Sequence, residues 1–158
     1  KFALSRSKPL FSNTGNLKSP PITGRCYCGQ HTVSARALPQ ITTYCHCTDC
    51  RRITGGPVAA FCGFGLDDLD ISPDPGPSMS INTGVTRWFC RNCGSALAAH
   101  YEYLPKQLYV PIGILDQAAD LEPQMHCFAD AKMPWLHIED NLDRHIDSGS
   151  DALKKGAE

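Results

Sequence analysis

The chain has 158 residues, 15 basic side chains against 16 acidic ones, and a formal net charge of -1. That length suits a single domain with a real core, and the even charge balance removes any global electrostatic case for nucleic acid or an anionic membrane as partner. No apolar run approaches the roughly 18 residues a membrane span requires, and residues 1–21 carry charges and polar groups in place of a signal core, so a soluble cytoplasmic protein is expected.

Residues 1–20, rich in Ser, Asn, Gly and Pro, read as a flexible N-terminal arm. Beyond it, Gly and Pro punctuate short apolar stretches at intervals of about eight to twelve residues, which favours a mainly β fold over alternating helices and strands. Strands are expected at His31 to Ala37, Ile41 to Cys45, Val58 to Phe64, Asp70 to Ser72, Met79 to Asn82, Thr86 to Phe89, Ala96 to Tyr101, Leu108 to Ile114 and Met125 to Ala129. Helical signals are few: one turn at Thr48 to Ile53, another at Leu115 to Ala119, and a short segment with an acidic first turn at Asp140 to His145. From Ser148 onward the chain reads as a polar tail with a frayed helical turn, and neither end is expected to carry function.

Seven of the nine cysteines fall in three tight groups, Cys26 and Cys28, then Cys45, Cys47 and Cys50, then Cys90 and Cys93. Thiols this close along the chain converge on one soft cation when the backbone turns around it, and zinc accepts such ligands readily. Cys45, Cys47 and Cys50 can all reach one ion. Cys26 and Cys28 supply half a tetrahedron, for which Cys90 and Cys93 are the natural complement. The outcome is one closed four-thiolate site of the structural kind and one three-cysteine site whose fourth ligand is unassigned, as catalytic sites are built. Other partitions, such as Cys26 and Cys28 with Cys45 and Cys47, stay open because spacing does not determine spatial neighbours. A disulfide framework and iron in place of zinc are further alternatives.

On an extended strand, residues two apart share a face, so Cys45 and Cys47 point one way and His46 the other. Gly29 and Gly94 follow cysteines directly and permit tight knuckles around a metal. Cys62, in the apolar run Val58 to Phe64, reads as a small core hydrophobe. Cys127 reads as packed, with a place near the three-cysteine site as the alternative. Trp88, Phe89 and Trp135 flank these motifs and either fill the core or wall a pocket.

The blocks Gly24-Arg25-Cys26-Tyr27-Cys28-Gly29, Cys45-His46-Cys47-Thr48-Asp49-Cys50-Arg51-Arg52 and Phe89-Cys90-Arg91-Asn92-Cys93-Gly94-Ser95, followed by His126, Lys132, Pro134 and Trp135, resemble the glutathione-dependent formaldehyde-activating (GFA/CENP-V) family over about residues 21–136. The resemblance implies a zinc-binding β-tent of short antiparallel strands, a structural zinc on Cys26, Cys28, Cys90 and Cys93, and a second zinc on Cys45, Cys47 and Cys50. It leaves residues 137–158 as a C-terminal extension. Cys127 departs from the aliphatic residue the family more usually carries.

Three thiolates make a bound zinc a weak Lewis acid for water but a good partner for a further thiol, which loses its proton on coordination. Together with the family resemblance, this implies the activity of a carbon-sulfur lyase on glutathione adducts, forming S-(hydroxymethyl)glutathione from glutathione and formaldehyde. His126, Tyr101 or solvent would supply the proton to the alkoxide. Arg51, Arg52 and Lys132 could pair with the glutathione carboxylates, with Trp135 and His126 completing the pocket. The rival is a non-catalytic, zinc-stabilised binding module or glutathione carrier, and a protein residue closing the second tetrahedron would favour it.

Overall fold

The computed structural model describes residues 21–155; the N-terminal arm lies outside them. Their strands are β1 (Ile22–Arg25), β2 (Thr32–Ala35), β3 (Ile41–Cys45), β4 (Ala59–Gly65), β5 (Leu69–Ser72), β6 (Val85–Phe89), β7 (Ala96–Tyr101), β8 (Gln107–Pro111), β9 (Met125–Cys127) and β10 (Asp143–Arg144). Two short helices, α1 (Thr48–Thr54) and α2 (Ser150–Lys155), join them. A three-stranded sheet runs in the order β1-β2-β5, and a seven-stranded sheet in the order β10-β9-β3-β4-β8-β7-β6. The expected mainly β class is what the chain adopts.

Alternation along the central strands explains how two sheets share one domain. Cys62 and Phe64 of β4 and Leu108 and Val110 of β8 pack with Ile22, Val33, Ala35 and Leu69 of the small sheet. On the opposite face, Ala59, Phe61 and Tyr109 pack with Cys45, Cys50, Met125, Cys127 and Leu153. Because β4 is covered on both faces, its sequence reads as a continuous apolar run instead of an alternating one. Cys62 is fully buried within the first cluster, as expected of a core thiol.

The two sheets meet closely at Gly24. It bridges to Leu115, and a Cβ there would run into the carbonyl oxygen of Ile114, so only glycine permits this approach. The Thr23 amide donates to Gln117 Oε1 at 2.9 Å and the Asp116 amide to the Thr23 carbonyl at 2.8 Å, fastening the segment after β8 to β1.

Several expectations need correction. Met79 to Asn82 is not a strand: Met79 makes only an isolated bridge to Arg87 on the outer edge of β6. The segment Leu115 to Ala119 opens with the Leu115 bridge to Gly24, and its helical turn is a 3-10 turn at Ala118–Asp120. Asp140 to His145 is extended instead of helical, since the Asp140 carboxylate binds His126 and Arg144, and Asp143 and Arg144 pair with Met125 and His126. Nor are all the strands antiparallel: β9 runs parallel to β3 and β10 parallel to β9. The tail is not purely polar either. Leu153 of α2 is 3% exposed within the second core cluster. Strand β1 was unforeseen. No helix among the described residues is long and apolar enough to cross a membrane.

Candidate functional site

Two knuckles build the first cysteine group. β1 delivers Cys26, after which the Gly29 amide bonds back to the Cys26 carbonyl at 3.0 Å with Gly29 at φ 78°. β6 delivers Cys90, and the Gly94 amide closes on the Cys90 carbonyl at 2.8 Å with Gly94 at φ 77°. Both glycines hold left-handed conformations that side-chain-bearing residues rarely take. The Tyr27 amide donates to Ser95 Oγ at 3.0 Å and ties one knuckle to the other.

The four sulfurs of Cys26, Cys28, Cys90 and Cys93 lie within 4.8 Å of one another. Cys26 and Cys28 are 3.6 Å apart and Cys28 and Cys90 3.7 Å apart. A regular tetrahedron of Zn–S bonds about 2.3 Å long sets its sulfurs about 3.8 Å apart, so this all-thiol group is compatible with zinc. The same separations are far beyond disulfide bonding distance, and all nine cysteines are free. Ser95, through side chain and backbone, lowers the Cys93 pKa to about 5 and so prepares a thiolate.

Cys45 ends β3, and Cys47 is the N-cap of α1, its sulfur accepting from the Cys50 amide at 3.3 Å. With Cys50 in the first turn, the three sulfurs again fall within 4.8 Å. Among the described residues, no histidine, carboxylate or further cysteine joins them. Residues 1–20 contain none of these residue types. Hydrogen bonds from Cys45 and Cys50, backed by the Cys50 and Asp49 amides, hold the Cys47 thiol far below its usual range. Cys45 shifts upward chiefly because it donates to Cys47. Cys50 is helped to ionise by Cys45, but its bond to Cys47 and its burial outweigh this and push it up to about 12. Without a metal, the group thus concentrates negative charge on Cys47. Buried Arg87 on β6 lies close enough to favour the ionised form of Cys50.

A cavity of about 30 Å³ adjoins two of the three thiols, lined by Cys45, Cys50, Cys127, Tyr101, Tyr103 and Tyr109, and by Ser148 and Leu153 from the C-terminal segment. Cys127 sits there because β9 pairs it with Cys45, and its sulfur lies 3.1 Å from Thr43 Oγ1. Burial is the main reason that Tyr101 is raised well above the ordinary phenol range, and the neighbouring Cys50 charge adds to it. Its hydroxyl stays protonated.

The opposite face of β3 and β9 carries a different group. His46 Nε2 lies 2.8 Å from His126 Nδ1, and His126 Nε2 lies 3.0 Å from Asp140 Oδ2. Arg144 holds the other Asp140 oxygen at 2.8 Å. The two imidazoles are 0% and 1% exposed, stacked with an interplanar angle of 11°. Desolvation first, then the charges of His126, Lys132, Arg144 and Arg51, lower His46 to about 4, so it is neutral.

The expected pocket residues therefore separate. Tyr101 shares a cavity with the three-cysteine group, whereas His126 lies behind it with both ring nitrogens engaged. Arg51 is half-buried on α1, its Nη2 donating to Thr48 Oγ1 and its Nε buried without a partner. Lys132 is exposed, and Trp135 is 64% exposed. Sequence reasoning missed Tyr103, Tyr109, Arg87 and Asp140. Only the tyrosines carried a signal, through the alternation of β8 and the end of β7.

The sequence model for the glutathione-dependent formaldehyde-activating enzyme matches residues 21–131. The chain belongs to that family. A crystal structure of a Rhodobacter sphaeroides protein is similar to it, with 26% identity and a TM-score of 0.51 over 60% of this chain and 87% of that one. No curated protein matches. Membership in the glutathione-dependent formaldehyde-activating family supports a function related to glutathione and formaldehyde. All seven clustered cysteines, His46, Tyr101 and His126 lie within the matched span, while Lys132, Trp135, Asp140, Arg144 and Leu153 lie beyond it.

Proposed function

We propose that the protein is a zinc-dependent carbon-sulfur lyase that interconverts glutathione plus formaldehyde with S-(hydroxymethyl)glutathione. The observation that carries this reading is the convergence of Cys45, Cys47 and Cys50, with no fourth protein ligand among the described residues, beside a tyrosine-lined cavity. Cys26, Cys28, Cys90 and Cys93 would hold a structural zinc, and Cys45, Cys47 and Cys50 a second one. Zinc at the second site supplies, when bound, the positive charge that favours loss of the proton from an incoming thiol.

In the forward direction the glutathione sulfur lone pair forms the C–S bond to the aldehyde carbon while the C=O π pair moves to oxygen. Tyr101, protonated and lining the cavity, gives that oxygen its phenolic proton. The proton released from the thiol restores the tyrosine. The apolar aromatic wall limits water around the adduct. Arg51 and Lys132 pair with the glutathione carboxylates, and Trp135 supplies an exposed apolar rim. His126 acts from behind the thiol loop and does not contact substrate.

Zinc-edge absorption on the full chain titrated with glutathione is expected to show added sulfur coordination. Unchanged coordination at saturating glutathione would remove the reading. Tyr101→Phe is expected to lower kcat by about 100-fold or more with little change in KM. Exchange NMR of glutathione with formaldehyde measures this, and an unaltered kcat would transfer the proton step to solvent.

A further inference from the structure

The chain Arg144, Asp140, His126, His46 is continuous, buried at its core, and ends on the residue between Cys45 and Cys47. One direction in it follows from chemistry, because a carboxylate only accepts. The Asp140 carboxylate, drawn below its usual range by the His126 and Arg144 bonds and the Leu142 amide against the cost of desolvation, accepts from His126 Nε2–H. On its other side, His126 Nδ1 shares a hydrogen bond of 2.8 Å with His46 Nε2. The remaining nitrogen of His46, Nδ1, is buried and has no partner. The orientation of this ring therefore depends on one hydrogen bond and one stacking contact, both to His126.

The backbone repeats the arrangement. The His46 amide donates to the Cys127 carbonyl at 3.0 Å, the His145 amide to the His126 carbonyl at 2.9 Å, and the Phe128 amide to the Asp147 carbonyl at 2.7 Å. Strand β10 thus backs β9, which backs the thiol loop. Asp140 and Arg144 both lie outside the span matched by the family, so this backing is supplied by the chain's own C-terminal segment.

We propose that Asp140 is a positioning residue that acts through His126 and His46 to hold the Cys45–Cys47 loop in the shape in which its thiols converge on one ion. The proposal rests on the reading that Cys45, Cys47 and Cys50 bind metal. A polar group that orients a ligand-bearing segment commonly contributes about 10–100-fold to metal affinity.

The test is cobalt(II) titration of the metal-free full chain, followed by thiolate charge-transfer absorption. The parent is expected to take two equivalents. Asp140→Ala is expected to keep one at parent affinity and to weaken the other by about tenfold or more. Asp140→Asn keeps an oxygen that accepts from His126 and should recover much of that loss. His46→Gln leaves β10 intact and should weaken the same equivalent as Asp140→Ala. Imidazole nitrogen NMR should show a hydrogen-bonded His46 Nε2 in the parent, a change at that nitrogen in Asp140→Ala and its recovery in Asp140→Asn, a pattern that a merely structural role would not produce. Parent affinity in Asp140→Ala, or equal weakening of both equivalents, overturns the proposal alone. A parent that binds a single equivalent overturns the metal reading of the three-cysteine group and the proposal with it.

Discussion

Cys90→Ser is expected to leave the chain without its native fold at 25 °C. Cys28 and Cys90 are 62 positions apart in sequence, yet their sulfurs are 3.7 Å apart, and the knuckles that hold them lie at the ends of β1 in the small sheet and β6 in the large one. Among the described residues the buried cluster around them is small, Cys26, Cys90 and Leu97 with Ile71, Trp88 and Ile114 partly buried against it. Structural zinc bound by thiolates carries an apparent free energy of about 10–16 kcal/mol, as large as the roughly 5–15 kcal/mol net stability of a whole domain. Serine neither ionises as a thiol does nor matches its affinity for zinc. Far-UV circular dichroism and thermal melting measure the outcome, and a chelator added to the parent should reproduce it. A Cys90→Ser melting temperature within a few degrees of the parent would show that the four-thiol group does not hold the sheets together.

Cys47→Ser is expected to behave in the opposite way, abolishing turnover while the domain stays folded. Cys47 caps α1 by accepting from the Cys50 amide, and serine is among the best residues at that position, so the helix keeps its cap. What serine does not retain is the ionised sulfur on which the site's negative charge is concentrated. Turnover of glutathione with formaldehyde should fall by about 100-fold or more, since a ligand is lost and not merely its support. The melting temperature should move little. Parent-like turnover in Cys47→Ser would assign the chemistry elsewhere, and joint loss of fold and turnover would make the three-cysteine group a second structural site. Together the two substitutions separate a structural role for the four-thiol group from a catalytic role for the three-thiol group.

Much of this was legible before any coordinates. Three cysteines within six positions converge because a strand end followed by a helical turn leaves them little alternative, and Gly29 and Gly94 announced the knuckles through the conformations they alone take easily. The β class followed from punctuation by Gly and Pro, and a helical turn was expected at Thr48 to Ile53, where α1 lies. Each of these features depends on backbone geometry over a few residues, which local sequence encodes directly.

Pairing across the sheet is another matter. His46 and His126 are 80 positions apart, and they meet only because β9 lies parallel to β3 with Tyr44 opposite His126 and Cys45 opposite Cys127. A slip of one residue would have exchanged His126 for Cys127, placing the imidazole in the tyrosine-lined cavity and the thiol behind it. Asp140 carried only a helix signal that misled, because its carboxylate is engaged by His126 and Arg144 instead of by helix amides. The amino-acid order alone thus determined which thiols gather locally and that the fold is β. Tertiary packing decided which two cysteine pairs come within 4.8 Å of one another, which tyrosines line the cavity beside Cys45 and Cys50, and which carboxylate stands behind them. The reason is physical: close neighbours in sequence have few ways to be arranged, whereas distant ones meet where the packing of two-sided strands finds its lowest free energy.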